Sequence, residues 1–282
     1  MRRKIQRILF SRTLLGIATL AVLAGVYAAF CVWLELLIAP RFSGRTPNFH
    51  VTLSLVLGLL LVFRTNAAYA RWWEARILWG SLVNTSRNLA VKIVTIPVAA
   101  SKNEIDDAGR LVLAFPYALR DRLRNTVSND VPAEFDDAAH KPGAIVKRLY
   151  QLFTGWRREG HIDGADLRIL DAEATKLLEI CGACERILGT RMTRSYRRFA
   201  RQCVALFLMI LPWEMAVTIE WWTAPMVAVI AYFMIGLEVV AEHVEEPFGH
   251  DEDDLDLDGL CATIDRTAGE ILNDSPSTPT AA

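Results

Sequence analysis

Apolar residues gather in two blocks of the chain, near residues 14–63 and 203–241, and charge is concentrated between and beyond them. Leu14 to Pro40 is a nearly continuous apolar run, broken by one charge, Glu35. A helix of about 20 apolar residues crosses the hydrocarbon core of a bilayer, so this run predicts a membrane span. Its basic start (Arg2, Arg3, Lys4, Arg7, Arg12) resembles a secretory signal, but the run is longer than a signal core. No small-residue cleavage site precedes Cys31, and the segment is read as a retained span. Phe49 to Phe63 is shorter and ends at Arg64, which fits a span sheltered by neighbouring protein. A third span is predicted from Cys203 to Trp222, with Pro212 expected to bend or break it for want of an amide donor. A fourth runs from Ala224 to Ala241. Trp213, Trp221 and Trp222 stand where an interfacial aromatic belt would be.

Four spans put both termini on one side. The turn between the first two holds two basic residues, Arg41 and Arg45, and the turn between the last two holds none; the rest of the 31 lysines and arginines lie elsewhere. Positive residues mark the cytoplasmic side, so both termini and the middle of the chain are expected there, in the cell membrane of a multi-pass protein. The middle, 64–202, reads as helical, with long periodic stretches at Arg71–Ala100 and Leu167–Leu188. Asn129, Asp130, Pro132, Asp136, Asp137 and Pro142 mark a connection over 126–145. The stretch 273–282 is rich in Ser, Thr, Pro and Ala and is expected to be disordered. The predicted fold class is all-α: an integral membrane protein of one domain, 1–282. It has spans at about 14–40, 49–63, 203–222 and 224–241, a helical cytosolic region over 64–202, and a cytosolic tail over 242–282.

Composition adds exclusions. Hydrophobic residues make up 52% of the chain and charged ones 22%, which an ordinary globular domain also shows, so distribution rather than content carries the membrane reading. A net charge of −1 argues against nucleic acid as a partner, which calls for a basic excess or face. Five cysteines, Cys31, Cys181, Cys184, Cys203 and Cys261, make an odd number, and no disulfide framework is implied. Cys181 and Cys184 form a lone CxxC in a helical pattern, without the second ligand pair a zinc site needs, and read as two small helix residues. The five histidines (His50, His140, His161, His243, His250) have no metal spacing. The chain has no phosphate-cradling glycine loop, HExxH or GxSxG, so no enzyme activity and no cofactor is expected.

The segment FRTNAAYARWWEARILWGSLVNTSRNLA, Phe63 to Ala90, follows the second predicted span directly. It resembles the bestrophin family of ion channels, in which the second membrane helix leads into an R-W-W signature; here that is Arg71, Trp72 and Trp73. Glu74, Arg76, Trp79 and Ser86–Asn88 match the short bacterial branch. The segment EEPFGHDEDDLDLDGLCATI, Glu245 to Ile264, looks like the family's NPFG-and-acid segment, with Pro247, Phe248 and Gly249 in place. Ala183 to Ile187 precedes the third span as in that branch. The resemblance implies a homopentamer of four-span subunits around one central pore, conducting chloride or other small anions passively. Its partners would be further copies of the chain, membrane lipids and the permeant inorganic ions.

On this resemblance the pore neck falls at Leu55, Leu59 and Phe63. Their spacing of four keeps them on one helix face, and in a five-fold ring they would stack as apolar collars that gate by excluding water. Periodicity alone allows the same face to meet lipid or another helix. A cytosolic aperture falls at Met192, where Thr193 stands in place of the family's proline and Arg191 and Arg194 flank the position. In the animal branch the acidic segment is a calcium clasp. Asp251 and Asp254 fall on two clasp acids and Glu246 where asparagine is usual, while His243 replaces a glutamine and is a poor calcium ligand. The bacterial branch is not expected to be calcium-gated, and a solvated charge run capping the last helix is the other reading. Glu214, Glu220, Glu238 and Glu242 lie in or beside spans, where ionisable groups are costly. Glu238 and Glu242 sit one turn apart on one face, and for these two pairing with Arg64, Arg197 or Arg198 is favoured over a cation path. Cation selectivity and a non-conducting membrane scaffold stay open as alternatives.

Overall fold

In the computed structural model every regular element is helical, and the described residues are 12–38, 49–98, 100–190, 192–251 and 253–274. The readings on Arg2, Arg3, Lys4, Arg7, Pro40, Arg41, Arg45, Arg191 and the tail from 275 lie outside them. Helices run over Arg12–Ile38 (α1), Phe49–Thr95 (α2), Lys102–Arg124 (α3), Lys141–Glu159 (α4) and Gly164–Gly189 (α5). They continue over Arg194–Ile219 (α6), Thr223–Glu245 (α7) and Leu257–Asn273 (α8), with single 3-10 turns at Ala133–Phe135 and Glu220–Trp222. Among the described residues, three helical stretches are long and apolar enough to cross a membrane: Leu14–Leu37, His50–Thr95 and Arg194–Glu245. The last contains both α6 and α7.

Three boundaries differ from those read in the sequence. The second helix does not stop near Arg64; α2 is one continuous helix of 47 residues. Arg64 interrupts the apolar run but not the backbone, because arginine is a good helix former and its charge is paired. Pro212 does not break the third span, since α6 continues to Ile219. Pro212 takes the helical donor from the Leu208 carbonyl; one residue on, the hydroxyl of Tyr27 on α1 donates to the Met209 carbonyl at 3.1 Å and adds a bond from outside to the same turn. The loop read over 126–145 ends earlier, because His140 caps α4 by accepting from the Gly143 amide and Pro142 sits in the first turn, where its missing N–H costs nothing.

Contacts divide the described chain into two compact units. One comprises α1, α2 as far as Arg71, and Met192 to Glu245. In it α1 packs along α7 in antiparallel register: Gly25 lies where a side chain would meet Ala228, and Gly236 lies over Ile17. Ala28, Leu57, Leu61, Val204, Phe207, Leu211 and Val227 form its core. Its outer faces stay apolar, with Leu23, Val26, Phe30, Met209, Val229 and Phe233 exposed. Such a surface suits hydrocarbon rather than water.

The other unit runs from Trp72 to Arg191 and from Glu246 onward. It folds around Trp79, Phe115, Leu119, Phe153, Trp156 and Leu177, as a water-soluble helical domain would. Its helix starts are capped in the usual reciprocal way, Ser101 with Glu104 on α3 and Asp163 with Asp166 on α5. Arg120 on α3 ties three segments together, reaching Asp121, Asp130 and Asp258 at 2.8 Å each.

Candidate pore-lining helix and its buried ion pairs

The N-terminal part of α2 has two unlike apolar faces. Leu57 and Leu61 are 2% exposed and lie in the core of their unit. Residues two apart on a helix point roughly opposite ways, and the alternates Leu55, Leu59 and Phe63 are 75%, 55% and 60% exposed. The three candidate neck residues therefore share one outward stripe, about 12 Å from first to last at the helical rise of 1.5 Å per residue. Among the described residues, no neighbour covers that stripe fully.

One residue beyond Phe63 the helix turns a charge inward. Arg64 is fully buried, and its Nη1 reaches Glu245 Oε2 at 2.9 Å and donates to the sulfur of Met192 at 2.9 Å. Its Nε lies 3.6 Å from Glu238, which faces Arg201 at 3.6 Å on its other oxygen. Glu242 pairs with Arg201 and, at 4.0 Å, with Arg197. The pairings expected for Glu238 and Glu242 are thus present. Glu214, for which no partner is read in the sequence, meets His50 at the start of α2 at 2.6 Å. Glu220 stands in the turn between α6 and α7, exposed and at a positive φ of 46°.

Met192, the candidate aperture residue, sits half-buried in the non-helical link between α5 and α6. Its amide donates to Glu245 Oε1 at 3.0 Å. Glu245 also receives, on its main-chain carbonyl, the Nε of Arg71 at 3.3 Å. Arg64 and Arg71 are seven residues apart, two helical turns, and so meet the last residue of α7 from one face of α2. The first residue of the R-W-W signature thus has a mechanical task, closing the C-terminal end of α7. The second, Trp72, donates its indole N–H to the Asp253 carbonyl at 3.1 Å. Trp73 is exposed.

Pro247 and Phe248 are buried, Phe248 in the core with Leu255 and Leu257. The Asp254 carboxylate lies close over Gly249, where a Cβ would stand 2.5 Å from it and would displace it. That carboxylate accepts the Asp251 amide at 2.6 Å, and the Asp254 amide returns to the Asp251 carbonyl at 3.2 Å. Burial raises the Asp254 carboxyl above the usual range, against the Asp251 amide that lowers it. A calcium ion wants six to eight oxygens, several of them charged. Here one acid is engaged in its own turn, and Glu246, Asp251 and Asp254 are not among the ligand sets that converge within 4.8 Å among the described residues. As placed, they do not fit the ion.

One converging set was not legible from spacing: His140, Cys181 and Glu185. His140 Nε2 lies 3.2 Å from Glu185 and 4.0 Å from the Cys181 sulfur. Its Nδ1 already accepts the Gly143 amide, so the proton of the neutral ring sits on Nε2, the atom a metal would need bare. Burial pushes the thiols of Cys181 and Cys184 up to about 12. His140 serves here as the cap of α4, and both cysteines pack in the core of their unit.

Comparison with known proteins agrees with this architecture. A family described as Bacterial/Fungal Bestrophin protein matches residues 2–270. A protein of Mesorhizobium japonicum named a voltage-dependent anion channel-forming protein is 34% identical over 269 residues, covering 91% of this chain and 84% of its own. One of the same name from Synechocystis is 33% identical over 237 residues, covering 79% and 76%. Among solved structures, a bacterial bestrophin homologue from Klebsiella pneumoniae superposes with a TM-score of 0.83 at 22% identity, over 92% of this chain and 99% of that one. The outward stripe of α2, Arg71 of the R-W-W signature bonded to the end of α7 and this match along the chain lead to one conclusion: the protein belongs to the bacterial and fungal bestrophin family.

Proposed function

We propose that the chain is one subunit of a passive ion channel in the cell membrane, a homopentamer around a single pore. Each subunit contributes four spans, from α1, the first part of α2, α6 and α7, with both termini and the region 64–202 on the cytoplasmic side. The permeant ions are small anions, chloride first among them, and the other partners are membrane lipids. The observation that carries this reading is the outward stripe of Leu55, Leu59 and Phe63, on a helix whose opposite face is already buried. A bulky apolar stripe beside a packed face suits a ring of copies around a pore. Five such stripes make three apolar collars, which close by dewetting and open by widening.

The sign of the ion rests on two supports. Relatives above 30% identity are named voltage-dependent anion channel-forming proteins. In addition, Glu238 and Glu242 face arginines, so these carboxylates are spoken for and do not supply an unpaired acidic path for cations. Met192 is the second constriction in this reading. Replacing Leu55, Leu59 and Phe63 together by alanine should lower the dewetting barrier. A reduction of about 1.4 kcal/mol raises the rate about tenfold, read as chloride efflux from liposomes holding the purified protein. Efflux equal to that of the parent protein would remove the neck from these positions.

A further inference from the structure

A carboxylate that bridges two constrictions makes them move together, and Glu245 is so placed. It is 1% exposed, and its two oxygens face different structures. Oε2 holds the guanidinium of Arg64, the residue after Phe63. Oε1 holds the main-chain amide of Met192, in a link between helices where no helical carbonyl takes that amide. Arg64 closes the triangle by donating to the Met192 sulfur. The main chain of Glu245 is fixed to α2 by Arg71.

We propose that Glu245 is a positioning residue that couples the neck to the Met192 aperture, so that the two open as one gate rather than as two independent ones; this rests on the channel reading above. The physical reason is the cost of partial motion. If α2 turns or shifts to widen the collar at Phe63, Arg64 moves with it. Arg64 is fully buried, and leaving its charge behind an unmoved carboxylate is strongly unfavourable. Glu245 therefore follows Arg64, and the Met192 amide follows Glu245, since a buried amide without an acceptor is also costly. Ion pairs that merely join two helices would fasten the subunit. This one ends on the backbone of the link that carries the aperture side chain, and so sets where that side chain stands.

The test is a double-mutant cycle on gating, with Leu59→Ala, Met192→Ala and both, recorded as single channels in planar bilayers of the full-length protein. Met192→Ala keeps the main-chain amide that Glu245 holds and removes the sulfur that Arg64 meets. Coupling predicts that the open–closed equilibrium of the double variant departs by about threefold or more from the product of the single effects. In a Glu245→Gln background, where the neutral amide no longer matches Arg64, the departure should fall to none. Single effects that simply multiply in the parent background overturn the coupling while leaving the channel reading intact. An undiminished departure in the Glu245→Gln background assigns the coupling to other residues and overturns the role of Glu245. If neither single variant changes gating or permeation, the constrictions are misplaced and the proposal falls with them. Should Glu245→Gln fail to assemble, a Glu245→Asp background, whose carboxylate is one methylene too short to reach both Arg64 and the Met192 amide, takes its place with the same two outcomes.

Discussion

Glu173, on α5, keeps its charge although it is buried, and the reason is two lysines. Lys92 lies at 2.7 Å and Lys176 at 3.2 Å. Burial alone would raise the carboxyl; the two ammonium groups outweigh it and hold the group below the usual glutamate range. A lowered carboxyl contributes stability that is present above its unfolded value, near 4.3, and is lost as pH falls through the folded value. Glu173→Gln should therefore cost about 1–2 kcal/mol at pH 7, discounted for the partial exposure of both lysines, and less at pH 4, where the contribution has begun to fall. Thermal melting of the detergent-purified variant and parent at both pH values checks this. A melting difference that stays the same at pH 4 would contradict the assignment. Little at this scale was legible in advance. The Lys92–Glu173 pair spans 81 residues and the Arg64–Glu245 pair 181, so neither lies within the reach of a local pattern. The signature residues Arg71 and Trp72 were recognisable by resemblance, but their tasks, holding the Glu245 and Asp253 carbonyls, follow only from the fold.

At the scale of elements, helices were legible where one periodicity held over many residues, as in Leu167–Leu188, observed as Gly164–Gly189. The readings that moved are those where polarity changes while the backbone does not. Arg64 marks such a change within α2, and Pro212 another within α6. A polarity boundary reports what surrounds a helix, and a helix continues if its hydrogen bonds are served; Tyr27 adds one from outside to the turn before Pro212. The acidic segment from Glu246 to Asp256 shows the converse, a motif with the expected residues in an arrangement of its own. We propose that it acts as a turn-forming connection into α8, with the Asp254 carboxylate fixed over Gly249 by the Asp251 amide, and not as a calcium clasp. Currents through the purified channel should then be the same in micromolar calcium and in excess chelator, within about twofold. Loss of current on chelation, restored by calcium, would show that the acids rearrange around the ion.

For the whole molecule, the two apolar blocks foretold an all-helical membrane protein, because a bilayer demands long apolar helices whatever their arrangement. The number of copies was not legible from periodicity. An apolar stripe that meets lipid, another helix or a pore is built from the same residues, and Leu55, Leu59 and Phe63 satisfy all three descriptions; the buried opposite face of α2 shows that the stripe points away from the core of its unit. Ion sign is still further from the pattern, since apolar collars favour neither charge, and the charged groups that bias it are set by pairing in the fold. The central claim is therefore tested most directly by current under asymmetric salt, with the purified protein in a planar bilayer across a tenfold potassium chloride gradient. The account predicts reversal near the chloride equilibrium potential, about 59 mV from zero for a monovalent ion across that gradient. Reversal of similar size and opposite sign, at the potassium potential, or a bilayer that stays silent, would contradict it.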